Sequence, residues 1–191
     1  QSKILPVLFD RQILPGTFEH SLTHLIEHEL DLGVFDQRYA NDETGRPAMV
    51  DVSGKDITSR TAVAKGRVRM SMNTLISVKE QRNKKGNVEH VAELAGIMGA
   101  KNTSHLIPLC HPIQISKVSV RIDHDDALPG LSISAEVKTD GKTGVEMEAL
   151  TAVSISCLTI YDMLKSKDKH ITILDIFLES KAGGKSGNWQ R

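Results

Sequence analysis

Gly141 to Lys165 reads GKTGVEMEALTAVSISCLTIYDMLK, a glycine-rich lead-in feeding a long apolar run with charges only at its two ends. Leu150, Val153, Ile155, Leu158, Ile160 and Leu164 leave hardly any polar stripe, and small Ala and Ser residues fill the gaps. A helix of that kind is buried on nearly all sides. Its length and lack of internal Gly or Pro favour helix over a short buried strand, despite several β-branched residues. The charged ends, Glu146 and Glu148 before the run and Asp162 with Lys165 after it, need a separate reason to exist.

The surrounding chain supplies layers for this helix. Upstream, Met49-Val50-Asp51-Val52-Ser53 and the alternating Ala64, Gly66, Val68 and Met70 read as strands joined by a turn around Asp56 to Ser59. Ser71 to Val78 begins a helix, Gln81 to Asn87 is a basic turn, and Val88 to Ala100 is a short helix rich enough in Ala and Gly to approach another backbone closely. Pro108 and Pro112 then forbid regular helix, so Leu109 to His111 is expected to be extended and rigid. A hairpin follows from the alternation of Val118, Val120 and Ile122 with that of Leu131, Ile133, Ala135 and Val137. Ile171 to Leu178 is the last expected strand, and Lys181 to Gly187 a flexible glycine loop with two cations. Strands, helix, hairpin, helix and strand in that order predict an α+β sandwich, a mainly antiparallel sheet with helices packed on one face.

The run YANDETGRP from Tyr39 to Pro47 is polar and full of turn residues, which sets a boundary near Gly45. Residues 1–45 are read as an N-terminal extension or linker, partly helical through Phe18, Leu22, Leu25, Ile26 and Leu32, and residues 46–191 as the main domain. Across 191 residues, 24 basic and 24 acidic side chains give no global field to attract nucleic acid, and one Trp, two Tyr and four Phe are too few for a stacking platform. Cys110 and Cys157 have no paired spacing, which argues against a disulfide framework and for a reducing compartment. Thr151, Ser154, Ser156 and Thr159 interrupt the central run, so no membrane span is expected. Asp10, Glu19, Glu27 and Glu29 make the first thirty residues too acidic for an intact transit peptide.

Several patterns imitate known sites. His24-Leu25-Ile26-Glu27-His28 matches the H-x-x-E-H of inverted zinc proteases, but a solvated polar face explains it as well and no metal is expected. Gly141-Lys142-Thr143 and Gly184-Lys185-Ser186 supply the GK[ST] ending of a P-loop, yet Glu136 and Glu179 stand where the motif needs glycine. Glycine turns beside lysines still hold anionic oxygens, so a phosphate-bearing ligand is expected. Cys110 and His111, adjacent on extended chain, point to opposite faces and cannot form a dyad with each other. Asp162 and Lys165, three apart at the end of a buried helix, are either a surface pair or a proton-transfer pair with mutually perturbed pKa values. Sixteen helical residues at about 1.5 Å each put Glu146 and Asp162 roughly 24 Å apart. If both ends serve one site, two chains must share it.

Leu106-Ile107-Pro108-Leu109-Cys110-His111-Pro112, the stretch from Gly141 to Ala152, Leu158 to Met163 and Gly183 to Gly187 together resemble the cyclic pyranopterin monophosphate synthases of molybdenum-cofactor biosynthesis, the MoaC family. The resemblance runs in unbroken order from Pro47 to the C-terminus and leaves residues 1–45 outside. It implies a ferredoxin-like fold and a homohexamer, a trimer of dimers with active sites between subunits. The implied reaction converts (8S)-3',8-cyclo-7,8-dihydroguanosine 5'-triphosphate to cyclic pyranopterin monophosphate with release of pyrophosphate. No cofactor is implied, though Mg²⁺ can accompany the triphosphate.

By the same resemblance Asp162 matches the catalytic acid, Lys165 its lysine partner and Lys85 a second catalytic lysine. Leu109, Cys110, His111, Met147 and Glu148 match substrate-binding segments, and Glu146, Arg60 and Lys101 further pocket positions, with Arg60 and Lys101 on the triphosphate. The implied location is intracellular and soluble, in the cytoplasm of a bacterium or the mitochondrial matrix of a eukaryote. A non-catalytic nucleotide- or pterin-binding module is the alternative from another class; it has no need of Asp162 and Lys165.

Overall fold

In the computed structural model, which describes residues 46–185 and 187–191, the strand β1 (Thr58–Arg69) alternates buried Ala62, Ala64, Gly66 and Val68 with exposed Lys65, Arg67 and Arg69. That period of two buries one face only. After Ser71 caps it through Thr74 N, α1 (Met72–Lys79) leads into a turn at residues 80–87. The helix α2 (Val88–Lys101) is capped by Asn87 through His90 N, and a single turn, α3 (Thr103–Leu106), follows. Next come the hairpin of β2 (Ile115–Asp125) and β3 (Gly130–Gly141), the central helix α4 (Glu146–Leu164), β4 (Thr172–Ala182) and a short β5 (Trp189–Gln190). The five strands pair antiparallel throughout, in the order β2-β3-β1-β4-β5. With helices packed against it, this sheet makes the α+β arrangement expected from the sequence, consistent with a ferredoxin-like fold.

Glycines let α4 reach both layers. A Cβ on Gly66 would lie 2.6 Å from Val153 Cγ1 and 3.4 Å from Cys157 Sγ, so the helix rests directly on the backbone of β1. A Cβ on Gly96 would lie 2.3 Å from Ser156 Oγ, and Ser156 Oγ donates to Ala92 O at 2.9 Å. The Ala and Gly content of α2 is thus used for close approach, as its composition predicts. Ala149, Ala152, Val153, Cys157, Ile160 and Leu164 are wholly buried. The helix is nonetheless not enclosed on all sides: Leu158 is 55% exposed and Tyr161 38%. With 19 residues and a mean hydropathy of 1.3, α4 has the length and apolarity of a membrane span, but more than half of it is buried inside the domain, as befits a core helix.

Three local readings change. Met49 to Ser53 forms no strand, because Asp51 Oδ1 accepts from Ser53 N (2.8 Å) and Ser53 Oγ (2.6 Å), a side-chain turn that competes with extension. Leu109 is not extended: Cys110 N donates to Ile107 O at 3.1 Å, closing a β-turn with Pro108 at its second position, where a φ near −65° is wanted. Lys181 and Ala182, read as loop, belong to β4, opposite Ala62 and Thr61. The helical pattern at Thr17 to Leu32 and the His24/His28 pair lie outside the described residues.

Replacing Gly96 with Ala tests the α2–α4 seam. Alanine gains about 1 kcal/mol of helix propensity, but its methyl group would meet Ser156 Oγ at 2.3 Å and Ala152 O at 3.0 Å. We expect Gly96→Ala to cost about 1–3 kcal/mol net in urea denaturation; unchanged or raised stability would mean the helices separate freely.

Candidate active site

The two ends of α4 carry two clusters with opposite electrostatics. At its C-terminal end the polypeptide brings Lys85, from the turn before α2, onto Asp162. Lys85 Nζ donates to Asp162 Oδ2 at 2.9 Å and to Asp162 O at 3.1 Å, while Lys165 Nζ contacts Oδ1 at 2.7 Å. One carboxylate thus lies between two ammonium groups, one of them from a residue 77 positions away from it in sequence. The hydrogen bond from Lys165 comes first and that from Lys85 second in holding the Asp162 carboxyl down at about 2, and Asp162 in turn raises Lys165. Both side chains are 56% exposed, so the two form a surface pair whose mutual perturbation comes from ion pairing and not from burial. At neutral pH this aspartate is a carboxylate.

The other end is drier. Glu148, in the first turn of α4, is 2% exposed. Its Oε1 accepts from the Cys110 thiol at 3.7 Å, and its Oε2 is buried with no hydrogen-bond partner among the described residues. Desolvation raises the Glu148 carboxyl above its ordinary range and, with the neighbouring Glu148 charge adding to burial, pushes the Cys110 thiol up to about 11. Cys110 is therefore a thiol at neutral pH and a poor nucleophile. Two residues before Glu148, Glu146 Oε1 pairs with Lys181 Nζ at 3.2 Å.

Loops close over this end. Arg60 Nε donates to Gly141 O (2.9 Å) and its Nη2 to Lys142 O (3.2 Å), while a Cβ on Gly184 would lie 2.3 Å from its Nη1. One guanidinium is therefore bonded to the first glycine-rich loop and packed against the second. Gly183 and Gly184, at φ 94° and 74°, take backbone conformations that side-chain-bearing residues avoid. Lys142 Nζ donates to Ser53 O at 2.6 Å, and Lys142 and His111 both help keep the Asp51 carboxyl low, after the hydrogen bonds from Ser53.

The sequence-predicted residues thus divide. Asp162, Lys165 and Lys85 meet at one end; Glu146, Glu148, Cys110 and Arg60 are set at the other, with His111 beside Asp51 and with Met147 half-buried in the first turn of α4. Leu109 lies in the turn that precedes Cys110. Lys101, at the last turn of α2, joins neither network by a hydrogen bond; it borders an open groove of about 330 Å³ with Ile97, Ile113, Ile115, Ser116 and Lys117. Lys181 was missed. The signal for it is positional, since a lysine opposite buried Ala62 must find a partner on the helix side.

A five-stranded antiparallel sheet bearing a buried helix, with two glycine-rich loops at one end of that helix and a lysine-bracketed carboxylate at the other, defines a class of small α+β protein. The chain belongs to the MoaC family, which it matches over residues 49–184. It is 59% identical to a cyclic pyranopterin monophosphate synthase of Cereibacter sphaeroides (strain KD131 / KCTC 12085), over 78% of this chain and 94% of that protein. Proteins of the same name from Dinoroseobacter shibae and Brucella ovis are 56% and 55% identical, over 78% of this chain and 94% and 90% of theirs.

Glu148 makes the dry end testable. A carboxyl raised on folding disfavours the native state once pH climbs above its unfolded value of 4.5. Glu148→Gln is therefore expected to stabilise the domain at neutral pH, with the gain vanishing below about pH 4. Urea denaturation of both proteins at several pH values measures it, and a pH-independent difference would contradict the assignment of burial as the cause.

Proposed function

We propose that this chain is a cyclic pyranopterin monophosphate synthase, a lyase that takes (8S)-3',8-cyclo-7,8-dihydroguanosine 5'-triphosphate to cyclic pyranopterin monophosphate and pyrophosphate. The carrying observation is the bridge from Lys85 through Asp162 to Lys165. A binding module needs cations for phosphates; it does not need a carboxylate held ionised between two of them. Rebuilding a purine-derived ring into a pterin requires proton removal and return. Asp162 supplies an ionised acceptor, and the flanking ammonium groups supply donors and charge for the departing pyrophosphate.

At the other end, the orphan Glu148 Oε2 suits a ring N–H, because a buried acceptor with no partner favours a ligand that brings a donor. Arg60 and the glycine loops suit phosphate oxygens, with Lys101 a further cation for the same triphosphate. Glu146 and Asp162 are already committed to lysines, so in this reading no resident metal is required and Mg²⁺ enters only with the triphosphate. Both cysteines are free, in keeping with a reducing compartment, the cytoplasm of a bacterium or a mitochondrial matrix.

Two clusters about 24 Å apart on one straight helix do not meet on one small ligand. In our reading each site is completed by a second copy, within a homohexamer assembled as a trimer of dimers. Val91, Leu94 and Met98 on α2 and Leu158 on α4, 41–60% exposed, provide apolar surface for such contacts.

Asp162→Asn is expected to cut pyrophosphate release by at least ~100-fold without dispersing the oligomer, followed by product mass and light scattering; retained turnover would favour the binding module. Mixing that variant with Glu146→Gln, itself expected to be impaired, should restore turnover after subunit exchange, since hybrid assemblies contain some sites with both wild-type halves. No recovery would place both clusters' work within single chains.

A further inference from the structure

Lys85 sits in an exposed turn, and something must hold that turn over the end of α4. The turn is built from unusual backbone: Gln81 has φ 53° and Gly86 φ 97°, and Arg82 N donates to Ser77 O at 3.0 Å. Its external tether comes from the segment just past α4. Lys167 Nζ donates to Arg82 O at 2.7 Å and lies 3.3 Å from Ser77 Oγ, joining the C-terminal turn of α1 to the residue three before Lys85. Next to it Asp168, 7% exposed, receives Ser71 N at 2.7 Å and Thr74 Oγ1 at 3.3 Å on Oδ2, and His170 N at 2.8 Å on Oδ1. These two residues therefore grip α1 at both ends. Their own amides donate to Leu164 O at 2.8 and 3.1 Å, fixing them to the last turn of α4, where Leu164 is wholly buried.

We propose that the Lys167-Asp168 corner is a positioning device that sets α1 and the 80–87 turn at the distance from which Lys85 reaches Asp162. The bond from Lys85 to Asp162 spans two segments that share no regular backbone pairing, so its geometry depends on whatever couples them. Asp168 anchors the start of α1, buried and satisfied on both oxygens. Lys167 anchors its end, and it does so from the solvent side with a long side chain that has rotamer freedom to lose. A surface lysine spent on two neutral acceptors, in no ion pair among the described residues, is not accounted for by charge pairing. It is accounted for by the need to immobilise the Arg82 carbonyl. Neither residue touches the Asp162 carboxylate, so both act through Lys85.

The effect on turnover rests on the synthase reading; the effect on Asp162 does not. Lys167→Met keeps the side chain's length and removes the donor, and Lys167→Arg keeps a donor. Carboxyl ¹³C NMR of aspartate-labelled protein, with Asp162 assigned by Asp162→Asn, reports whether Lys85 is in place. In the parent the Asp162 signal is expected to stay flat from neutral pH to about pH 4, and in Lys85→Met to begin its upfield move toward the protonated form at higher pH than in the parent. We expect Lys167→Met to shift the titration in the direction of Lys85→Met, and Lys167→Arg to return it toward the parent. In turnover, Lys167→Met should lower kcat about tenfold or more with KM within about twofold, as misplacement of a reacting group does. An Asp162 titration unmoved in Lys167→Met would overturn the proposal, as would a loss of kcat without that shift. A parent protein with no turnover would defeat the synthase reading while leaving the NMR result to decide the corner's role.

Discussion

A buried helix cannot change its length, and α4 is buried by contacts that leave no room for adjustment. Gly66 on one side and Gly96 on the other admit the helix to within side-chain contact of two backbones, and either would be closed by a single methyl group. The helix is therefore a fixed rod between the sheet and α2. Everything attached to its ends inherits a separation of about 24 Å, and neither loop motion nor side-chain rotation can bring Glu146 to Asp162. Quaternary structure enters the proposed mechanism through this rigidity.

The same rod holds its acidic groups in opposed environments. Glu148 is desolvated and pulled toward its protonated form, with a thiol as neighbour, whereas Asp162 stands in solvent between two ammonium groups and is held ionised. Two carboxyl groups of similar intrinsic acidity are thereby separated in behaviour by environment alone, the usual way one protein runs acid and base chemistry at a single pH. The stretch between them is mostly apolar, and its wholly buried Ser156 is spent on the Ala92 carbonyl.

What could be read from the sequence follows the range of the forces involved. Local periodicity places α4 and α2 nearly at their boundaries and finds the inner residues of the β2–β3 hairpin, because alternation and the helical repeat act within a few residues. Readings failed where a side chain overrode the pattern. Asp51 folds Met49 to Ser53 into a turn, and Pro108 does the same for Leu109. The two charged ends of α4 were visible as anomalies, yet the partner of Glu146 was not, because Lys181 comes from a strand whose register is set only when the sheet forms. Lys85 was placed by family resemblance. No spacing rule connects it to a residue 77 positions away. Asp168 carries no sequence signal either, an acidic residue in a Lys-rich turn whose burial depends on α1 packing over it.

The position of β1 has a consequence for how the chain comes together. Among the described residues it is the first strand made and the central one, flanked by β3 on one side and β4 on the other. Thr58 pairs with Gly141 and Thr61 with Ala182, so its neighbours arrive roughly eighty and a hundred and twenty residues later. During synthesis one edge of β1 waits open until β3 is made, and the other until β4 follows. Such long closures slow folding, and unpaired strands are where chains find one another prematurely. Lys65, Arg67 and Arg69, alternating along that strand, give it like charges in the interval and so discourage pairing with another copy of itself.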